Sequence, residues 1–136
     1  MIHIEYKSGF KYQLSKDYSV FVNIFPKENI YSEFIELHFD GFLIIKSGYC
    51  WDGPSGPAID TKNFMRGSLV HDALYQLMRE ELIGQECREE ADKELRKICL
   101  EDGMSKIRAE WVYYAVRTFA KRCADVGSKR KTEIAP

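Results

Sequence analysis

The residues best suited to chemistry are His71 and Asp72, which stand in the helix-like run SLVHDALY at 68–75. On an α-helix His71 and Tyr75 are one turn apart and share a face, whereas Asp72 lies about 100° around the axis from His71. Histidine changes its charge near neutral pH, and a carboxylate beside it can orient the ring, bind a cation or stay solvated. The run therefore predicts a working centre whose surroundings decide between these roles.

A second carboxylate, Asp92, borders the apolar side of a helix predicted from about Gln85 to Glu101. A carboxylate in that position needs a hydrogen-bonded partner, because burying it unpaired costs several kcal/mol. The sequence is compatible with two partners, Arg88 one turn earlier on the same helix and His71 on the preceding helix. A histidine with a buried carboxylate behind it is the usual arrangement for activating water.

Residues 48–57, GYCWDGPSGP, are dense in glycine and proline and so are predicted to form a shaped loop. One interpretation is a connector between a sheet and a helical half. The other is that Gly53 and Gly56 let backbone groups turn toward an ion or an anion, with Asp52 adding a charged ligand. Ser55 is not predicted to be a nucleophile, because its surroundings lack the G-x-S-x-G spacing.

Composition narrows the class of protein. The chain has 136 residues, which predicts a single domain, and 20 Lys and Arg against 21 Asp and Glu give no bulk attraction to nucleic acid or to an anionic membrane. The start of the sequence lacks a basic region followed by an apolar run, and no stretch reaches transmembrane length. We therefore expect a soluble protein that stays inside a cell.

The four cysteines are widely spaced, without a Cys-x-x-Cys pair, so neither a zinc knuckle nor a thioredoxin-type site is predicted. Free thiols in a reducing cytosol are expected instead. The four are Cys50, Cys87, Cys99 and Cys123.

The first fifty residues are predicted to be strands, because apolar residues recur at every second position between turn signals. One predicted apolar face consists of Tyr18, Val20, Val22 and Ile24. A second run from Phe34 to Phe39 places Ile35, Leu37 and Phe39 on one face, and Asp40-Gly41 predicts a tight hairpin turn into 42–45.

The rest is predicted to be helical. The first helix begins between Asn63 and Ser68 and ends at about Glu80, and a third runs from about Ser105 to Ala124. The predicted apolar side of the third helix consists of Ile107, Trp111, Tyr114, Ala115 and Thr118, widened by Val112, Val116 and Phe119. Its basic residues, Arg108, Arg117, Lys121 and Arg122, suit either an anion or the helix dipole.

These elements predict an α+β fold in which antiparallel β-hairpins or a small sheet precede a three-helix half. We expect one domain over 1–126, divided into a β-rich part at 1–47, the glycine- and proline-rich loop at 48–67 and a helical part at 68–126. Residues 127–136 are polar and are predicted to be a disordered tail.

The order of motifs resembles an uncharacterised family of small phage and prophage proteins, in which an Asp-x-x-Ser-x-Pro loop precedes His-Asp-x-x-Tyr and Ala-Asp. Here the loop is WDGPSGP at 51–57, followed by His71, Asp72 and Tyr75 and then by Ala91 and Asp92. The resemblance extends from Gly48 to about Arg117. It implies a phage-encoded protein that acts in the host cytoplasm or is part of the virion.

The same order is similar to the core of phospholipases A2, especially the disulfide-poor viral type. That resemblance implies an antiparallel helix pair, with His71 as the general base and Asp92 holding its other ring nitrogen while Tyr75 braces Asp92. It also implies that Asp72 binds Ca²⁺ or another divalent cation with loop carbonyls. Those carbonyls would be Trp51, Gly53 and Ser55. Ser55 stands where these lipases favour glycine, and Asp52 is an added acid.

Three functions follow as expectations. The first is a metal-dependent hydrolase of an ester, with a phospholipid as one substrate class. The second is a purely structural network that fixes the packing of two helices. The third is a non-enzymatic phage protein, a virion component or an inhibitor of a host protein, that uses Tyr49 and Trp51 as its contact surface, because aromatic residues dominate binding hot spots.

Overall fold

The computed structural model describes residues 4–7, 12–52 and 62–119. In this part of the chain seven short strands precede three helices, which confirms the predicted α+β fold. The strands are β1 (Tyr6–Lys7), β2 (Tyr12–Leu14), β3 (Tyr18–Phe21), β4 (Ile30–Tyr31), β5 (Ile35–Leu37), β6 (Phe42–Ile45) and β7 (Cys50–Trp51). The helices are α1 (Lys62–Arg79), α2 (Arg88–Glu101) and α3 (Lys106–Phe119), with a 3₁₀ turn (Gln85–Cys87) before α2.

The larger sheet is antiparallel, in the order β3-β6-β5-β4. Its alternating pattern puts Ile35, Leu37, Leu43 and Ile45 fully into the core. The predicted turn at Asp40-Gly41 is present, and Gly41 adopts φ +89°, where a Cβ would collide with the carbonyl oxygen of Val22. Local alternation and turn chemistry are sufficient to specify this hairpin.

Phe39 departs from the predicted pattern. It was expected on the apolar face with Ile35 and Leu37, but it is 62% exposed. The strand ends at Leu37, and the amide of Phe39 donates instead to the side chain of Asn29. Because the pleat ends before Phe39, the period-2 alternation no longer applies to it.

The smaller sheet has the order β1-β2-β7, and its last strand lies inside the segment predicted to be a loop. Trp51 pairs with Tyr12 in antiparallel register, and α1 already begins at Lys62. The predicted loop at 48–67 is therefore too long at both ends. The pairing joins residues far apart in sequence, which local pattern does not reveal. Residues 53–61 lie outside the described part of the chain.

Helices α1 and α2 pack closely and run antiparallel. Gly67 lies near the start of α1 against Leu95 and Cys99, and a Cβ on it would come within 3.0 Å of both side chains. Two turns later Tyr75 reaches Asp92, which is earlier in α2. The predicted antiparallel helix pair is therefore present.

Helix α3 is turned away from its predicted orientation. Ile107, Trp111 and Tyr114, expected in the core, are 85%, 54% and 67% exposed. The helix instead packs through Ala109 and Val112, which are buried beside Leu95 and Cys99 of α2, with Val116 partly buried at the same contact. The smaller side chains form the inner face, and the larger apolar stripe faces outward. The predicted end of the helix at Ala124 and the tail lie outside the described residues.

A buried arginine joins the sheet to the helices. Arg66 of α1, 5% exposed, donates to the carboxylate of Asp102, to Glu101 and to the hydroxyl of Tyr18 in β3. Its charge is thus balanced by two carboxylates, which is the condition for burying it. Among helices in the described ranges, none combines the length and apolar character that crossing a membrane requires.

Candidate functional site

The cluster forms on the face of α1 that contacts α2. His71 and Tyr75 are one helical turn apart, and their ring centroids are separated by 4.1 Å. The flanking residues Ala73, Leu74 and Leu77 are fully buried, which anchors the helix and fixes the direction of this polar face. Packing of the apolar residues therefore presents both rings to the neighbouring helix.

Asp92 receives both side chains. It is completely buried on α2, and its Oδ1 lies 2.7 Å from Nε2 of His71 and 2.6 Å from the hydroxyl of Tyr75, which donates to it. The structure thus brings together the three residues that the sequence nominated, with the ring nitrogen and the hydroxyl sharing one carboxylate oxygen.

Two arginines complete the cluster on the other oxygen of Asp92. Arg117 of α3 donates from Nη1 to Oδ2 at 2.9 Å, and Nη1 of Arg88 lies 3.7 Å from the same atom. Arg88 also donates to the backbone carbonyl of Arg117 at 3.4 Å. The sequence offered Arg88 and His71 as alternative partners of Asp92, and the structure uses both.

Arg117 is the residue that sequence reasoning missed as a partner of Asp92. It was noted only among the basic residues of the third helix. The available signal was the need of a buried carboxylate for a compensating charge. This requirement predicts that the partner is a cation but not which cation it is, because the contact depends on how α3 packs against α2.

The hydrogen bonds set the ionisation of the cluster. Burial alone raises the pKa of Asp92, but the bonds from His71, Tyr75 and Arg117 outweigh it and the pKa of this carboxyl is lowered. Burial and the bond to Asp92 both raise the pKa of Tyr75. Asp92 is therefore an ionised acceptor and Tyr75 a neutral donor at neutral pH.

The geometry leaves His71 able to act as a base. An ionised Asp92 accepts the proton on Nε2, which puts the lone pair of the ring on Nδ1. The His71 side chain is 13% exposed, so the ring is mostly desolvated while retaining some contact with solvent. A histidine held in this tautomer by a buried carboxylate can take a proton from water.

Only some of the predicted metal ligands lie in the described part of the chain. Asp72 is half-buried beside His71 on α1, and Asp52 is exposed at the end of β7. Gly53 and Ser55 lie outside the described residues. Within 4–7, 12–52 and 62–119, no group of three or more His, Cys, Asp or Glu residues is placed to hold a metal ion.

The predicted contact surface at Tyr49 and Trp51 is wrong. Tyr49 is 3% and Trp51 2% exposed, so neither ring is available to a partner. Trp51 is held in the core by its strand pairing, and its Nε1 donates to the hydroxyl of Ser68 on α1 at 3.1 Å. Its position in a small sheet that covers α1 explains why an aromatic residue next to a glycine-rich stretch is buried.

We expect Asp92→Asn to destabilise the protein by about 3 kcal/mol at pH 7, because it leaves the partly buried guanidinium groups of Arg88 and Arg117 without their counter-charge. The folded-state pKa of Asp92 is lowered, so its contribution is complete above the unfolded value of about 4 and is lost as pH falls through the folded value. Urea unfolding of wild type and variant should therefore show a gap in stability that narrows in acid.

Glu89→Gln is the matched control, since it removes a 56% exposed carboxylate from the same helix and should change stability by less than about 1 kcal/mol. An Asp92→Asn variant as stable as this control, or a gap that is constant from pH 7 to pH 2.5, would contradict the proposed ionisation of Asp92.

Comparison with known protein families matches residues 33–116 to the family described as Protein of unknown function (DUF1353). No curated protein and no solved structure matches the chain. The family match carries no likeness to phospholipases A2, and the phage origin likewise stays a prediction. Because the match spans more than half of the sequence and includes His71, Tyr75 and Asp92, the chain belongs to this uncharacterised family.

Proposed function

We propose that the protein is a hydrolase in which His71 activates water. The observation that carries the proposal is the 2.7 Å contact between Nε2 of His71 and the completely buried Asp92. In the proposed reaction Nδ1 of His71 takes a proton from water as the water attacks an ester carbonyl. Asp92 stabilises the imidazolium ring that forms, and the ring then returns the proton to the alkoxide leaving group as the C–O bond of the tetrahedral intermediate breaks to give acid and alcohol.

Tyr75 and Arg117 act through Asp92 in this mechanism. The hydroxyl of Tyr75 fixes the oxygen that faces His71, and Arg117 occupies the other oxygen at 2.9 Å. Each therefore limits rotation of the carboxylate and keeps its Oδ1 directed at the ring. A rigid carboxylate holds the histidine in one tautomer, which is what general-base catalysis requires.

The substrate class rests on the resemblance to phospholipases A2. That resemblance supports an ester substrate, with phospholipids as one class. The resemblance to small phage and prophage proteins supports a phage-encoded enzyme that acts in the host cytoplasm or in the virion. The metal requirement implied by the phospholipase resemblance would bring Ca²⁺ to Asp72, with backbone carbonyls and Asp52 as further ligands. Calcium binds carboxylate and carbonyl oxygens, so these donors are of the appropriate type.

Replacing His71 by Asn should reduce ester hydrolysis by about a hundredfold or more while the protein stays folded, because a general base contributes that much to the rate. The measurement is hydrolysis of aryl esters and of phospholipid vesicles, with circular dichroism to verify folding. His38→Asn is the matched control, since His38 also contacts a carboxylate, Glu36, at 3.3 Å but lies directly after β5, away from the cluster.

Wild-type protein without hydrolytic activity on either substrate, with or without calcium, would contradict the proposal. Equal losses of activity in the His71 and His38 variants would contradict it as well, because the loss would then not depend on the cluster.

Calcium at millimolar concentration should raise the thermal unfolding temperature of the wild type, since a ligand that binds the native state stabilises it. Asp72→Asn should abolish this increase, whereas Asp40→Asn, which removes a carboxylate from the β5–β6 turn, should retain it. Differential scanning fluorimetry with added Ca²⁺, Mg²⁺ or chelator measures the effect. An unchanged wild-type unfolding temperature would remove calcium from the proposal and leave the histidine mechanism standing.

A second candidate is a non-enzymatic phage protein that binds a host protein. One observation favours it. Four rings cross the outer face of the larger sheet, and neighbouring centroids are separated by 4.9 Å (Phe21 and Phe42), 5.9 Å (Phe42 and His38) and 5.9 Å (His38 and Tyr31). We name these four the aromatic row. Phe21 and Tyr31 are 61% and 65% exposed, and exposed apolar patches mark interaction sites.

In this second case Phe21→Ser should reduce capture of a host partner from lysate by about tenfold or more, as expected for loss of a hot-spot residue. Trp111→Ser is the control, because it removes an exposed aromatic ring from α3 instead. Absence of any partner for the wild type, or full capture by the Phe21 variant, would exclude the aromatic row as the binding surface.

A further inference from the structure

Helix α3 presents an exposed apolar stripe. Ile107, Trp111 and Tyr114 are 85%, 54% and 67% exposed, and their spacing of four and three residues puts them on one side of the helix. The opposite side packs on α2 through Ala109 and Val112. We name the three exposed residues the α3 stripe. Contiguous large apolar side chains that stay in solvent mark interaction sites.

The aromatic row is a second exposed apolar surface, on the outer face of the larger sheet. Its end members, Phe21 and Tyr31, are 61% and 65% exposed. The row crosses four adjacent strands, which corresponds to three strand spacings of about 4.8 Å. From Ile107 to Tyr114 the helix rises about 10.5 Å. The row is therefore long enough to receive the whole α3 stripe, in the helix-on-sheet arrangement that is common in protein cores.

Charge is distributed unevenly along the chain. Residues 106–136 contain eight Lys and Arg against three Asp and Glu, whereas residues 1–105 contain 12 against 18. The net charge of the whole chain is −1, so two copies repel each other little. Opposite charges on different parts of one molecule favour contacts between unlike surfaces of two copies.

Basic side chains accompany the α3 stripe. Lys106 is exposed next to Ile107, and Arg108 follows it, half-buried. The one carboxylate in the sequence of α3, Glu110, is paired with Arg96 of α2. The surroundings of the stripe are therefore positive.

Acidic side chains accompany the aromatic row. Three exposed carboxylates lie in the connections between the four strands, namely Glu28, Glu33 and Asp40. Two lysines oppose them. Lys27 is exposed, and Lys46 is already paired with Glu36 at 2.9 Å. The surroundings of the row are therefore negative, which makes them complementary to those of the stripe.

We propose that the α3 stripe of one copy of this chain docks on the aromatic row of a second copy, so that copies associate head to tail. Two stripes in contact would bring basic residues together, and two rows would bring carboxylates together, so charge selects the mixed contact. The stripe exposes about 400 Å² of apolar side chain and the row a similar area. This is the small end of the range for specific interfaces, so the association is reversible and weak.

The test is sedimentation velocity of the purified full chain at low salt, at concentrations up to about 1 mM, where weak association is populated. The average mass of the wild type should increase with concentration and exceed that of a dimer, because each added copy leaves one stripe and one row free. A host protein of the second candidate function would occupy the same row. Purified protein contains no host partner, so self-association and host binding are measured separately.

Phe21→Ser and Trp111→Ser should each weaken self-association at least about tenfold, as expected for loss of a hot-spot residue. Both side chains are exposed, so the variants should fold, which circular dichroism verifies. Tyr31→Ser and Tyr114→Ser replace them if either does not. Leu82→Ser is the matched control, because it removes a 42% exposed side chain after α1 and should change the Kd by less than about twofold.

A mixture of the two variants identifies the mode of contact. The Phe21 variant retains its stripe and the Trp111 variant retains its row. An equimolar mixture should therefore form a one-to-one dimer that does not grow further, although neither variant associates alone.

A wild-type chain that stays monomeric at about 1 mM would overturn the proposal. So would a folded Phe21 or Trp111 variant that associates as tightly as the wild type, or a mixture of the two that stays monomeric, because the contact would then not join row to stripe.

Discussion

Burial of the Asp92 carboxylate is the constraint on which the helical half depends. A completely buried charge is tolerated only with hydrogen bonds and a compensating charge, and here three helices provide them. His71 and Tyr75 come from α1, Arg88 from α2 itself, and Arg117 from α3. Because each partner must reach the same two oxygen atoms, the carboxylate restricts how far each helix can slide or rotate.

Helix α2 is the element that connects the other parts. Its Asp92 side faces α1 and α3, and its Glu94 side accepts the backbone amide of Asn23 beyond β3. At its C-terminal end Asp102 pairs with Arg66, which in turn reaches Tyr18 of the sheet. Polar contacts therefore join the helix to every neighbouring layer, while the apolar residues between them form the core.

The arrangement around Asp92 satisfies two different demands. His71 and Tyr75 contact one oxygen of the carboxylate, and the two arginines contact the other. The first pair of contacts fixes the orientation of the histidine, and the second pair neutralises the buried charge. Water activation needs the first property, and helix packing needs the second. The family match over residues 33–116 includes β5 to most of α3 and ends one residue before Arg117. Measurement of hydrolytic activity therefore distinguishes a catalytic role of the cluster from a structural one more directly than the family match does.

Local sequence patterns determined much of the fold. The period-2 alternation around Ile35 and Leu43, the turn at Gly41 and the helical period of α1 are properties of short segments, because side-chain direction follows from backbone geometry within a few residues. The same reasoning nominated His71, Tyr75 and Asp92, since their types and spacing limit what they can contact.

Tertiary structure alone decided the remaining features, all of which depend on contacts between distant segments. Pairing of Trp51 with Tyr12 turned a predicted loop and contact surface into a buried strand. Ala109 and Val112 pack against α2, so the larger apolar stripe of α3 lies on the outside. The helical periodicity of α3 alone does not determine which of its apolar faces is buried. The same packing put Arg117 beside Asp92. A sequence can state that a buried carboxylate needs a cation, but only the packed helices determine which cation reaches it.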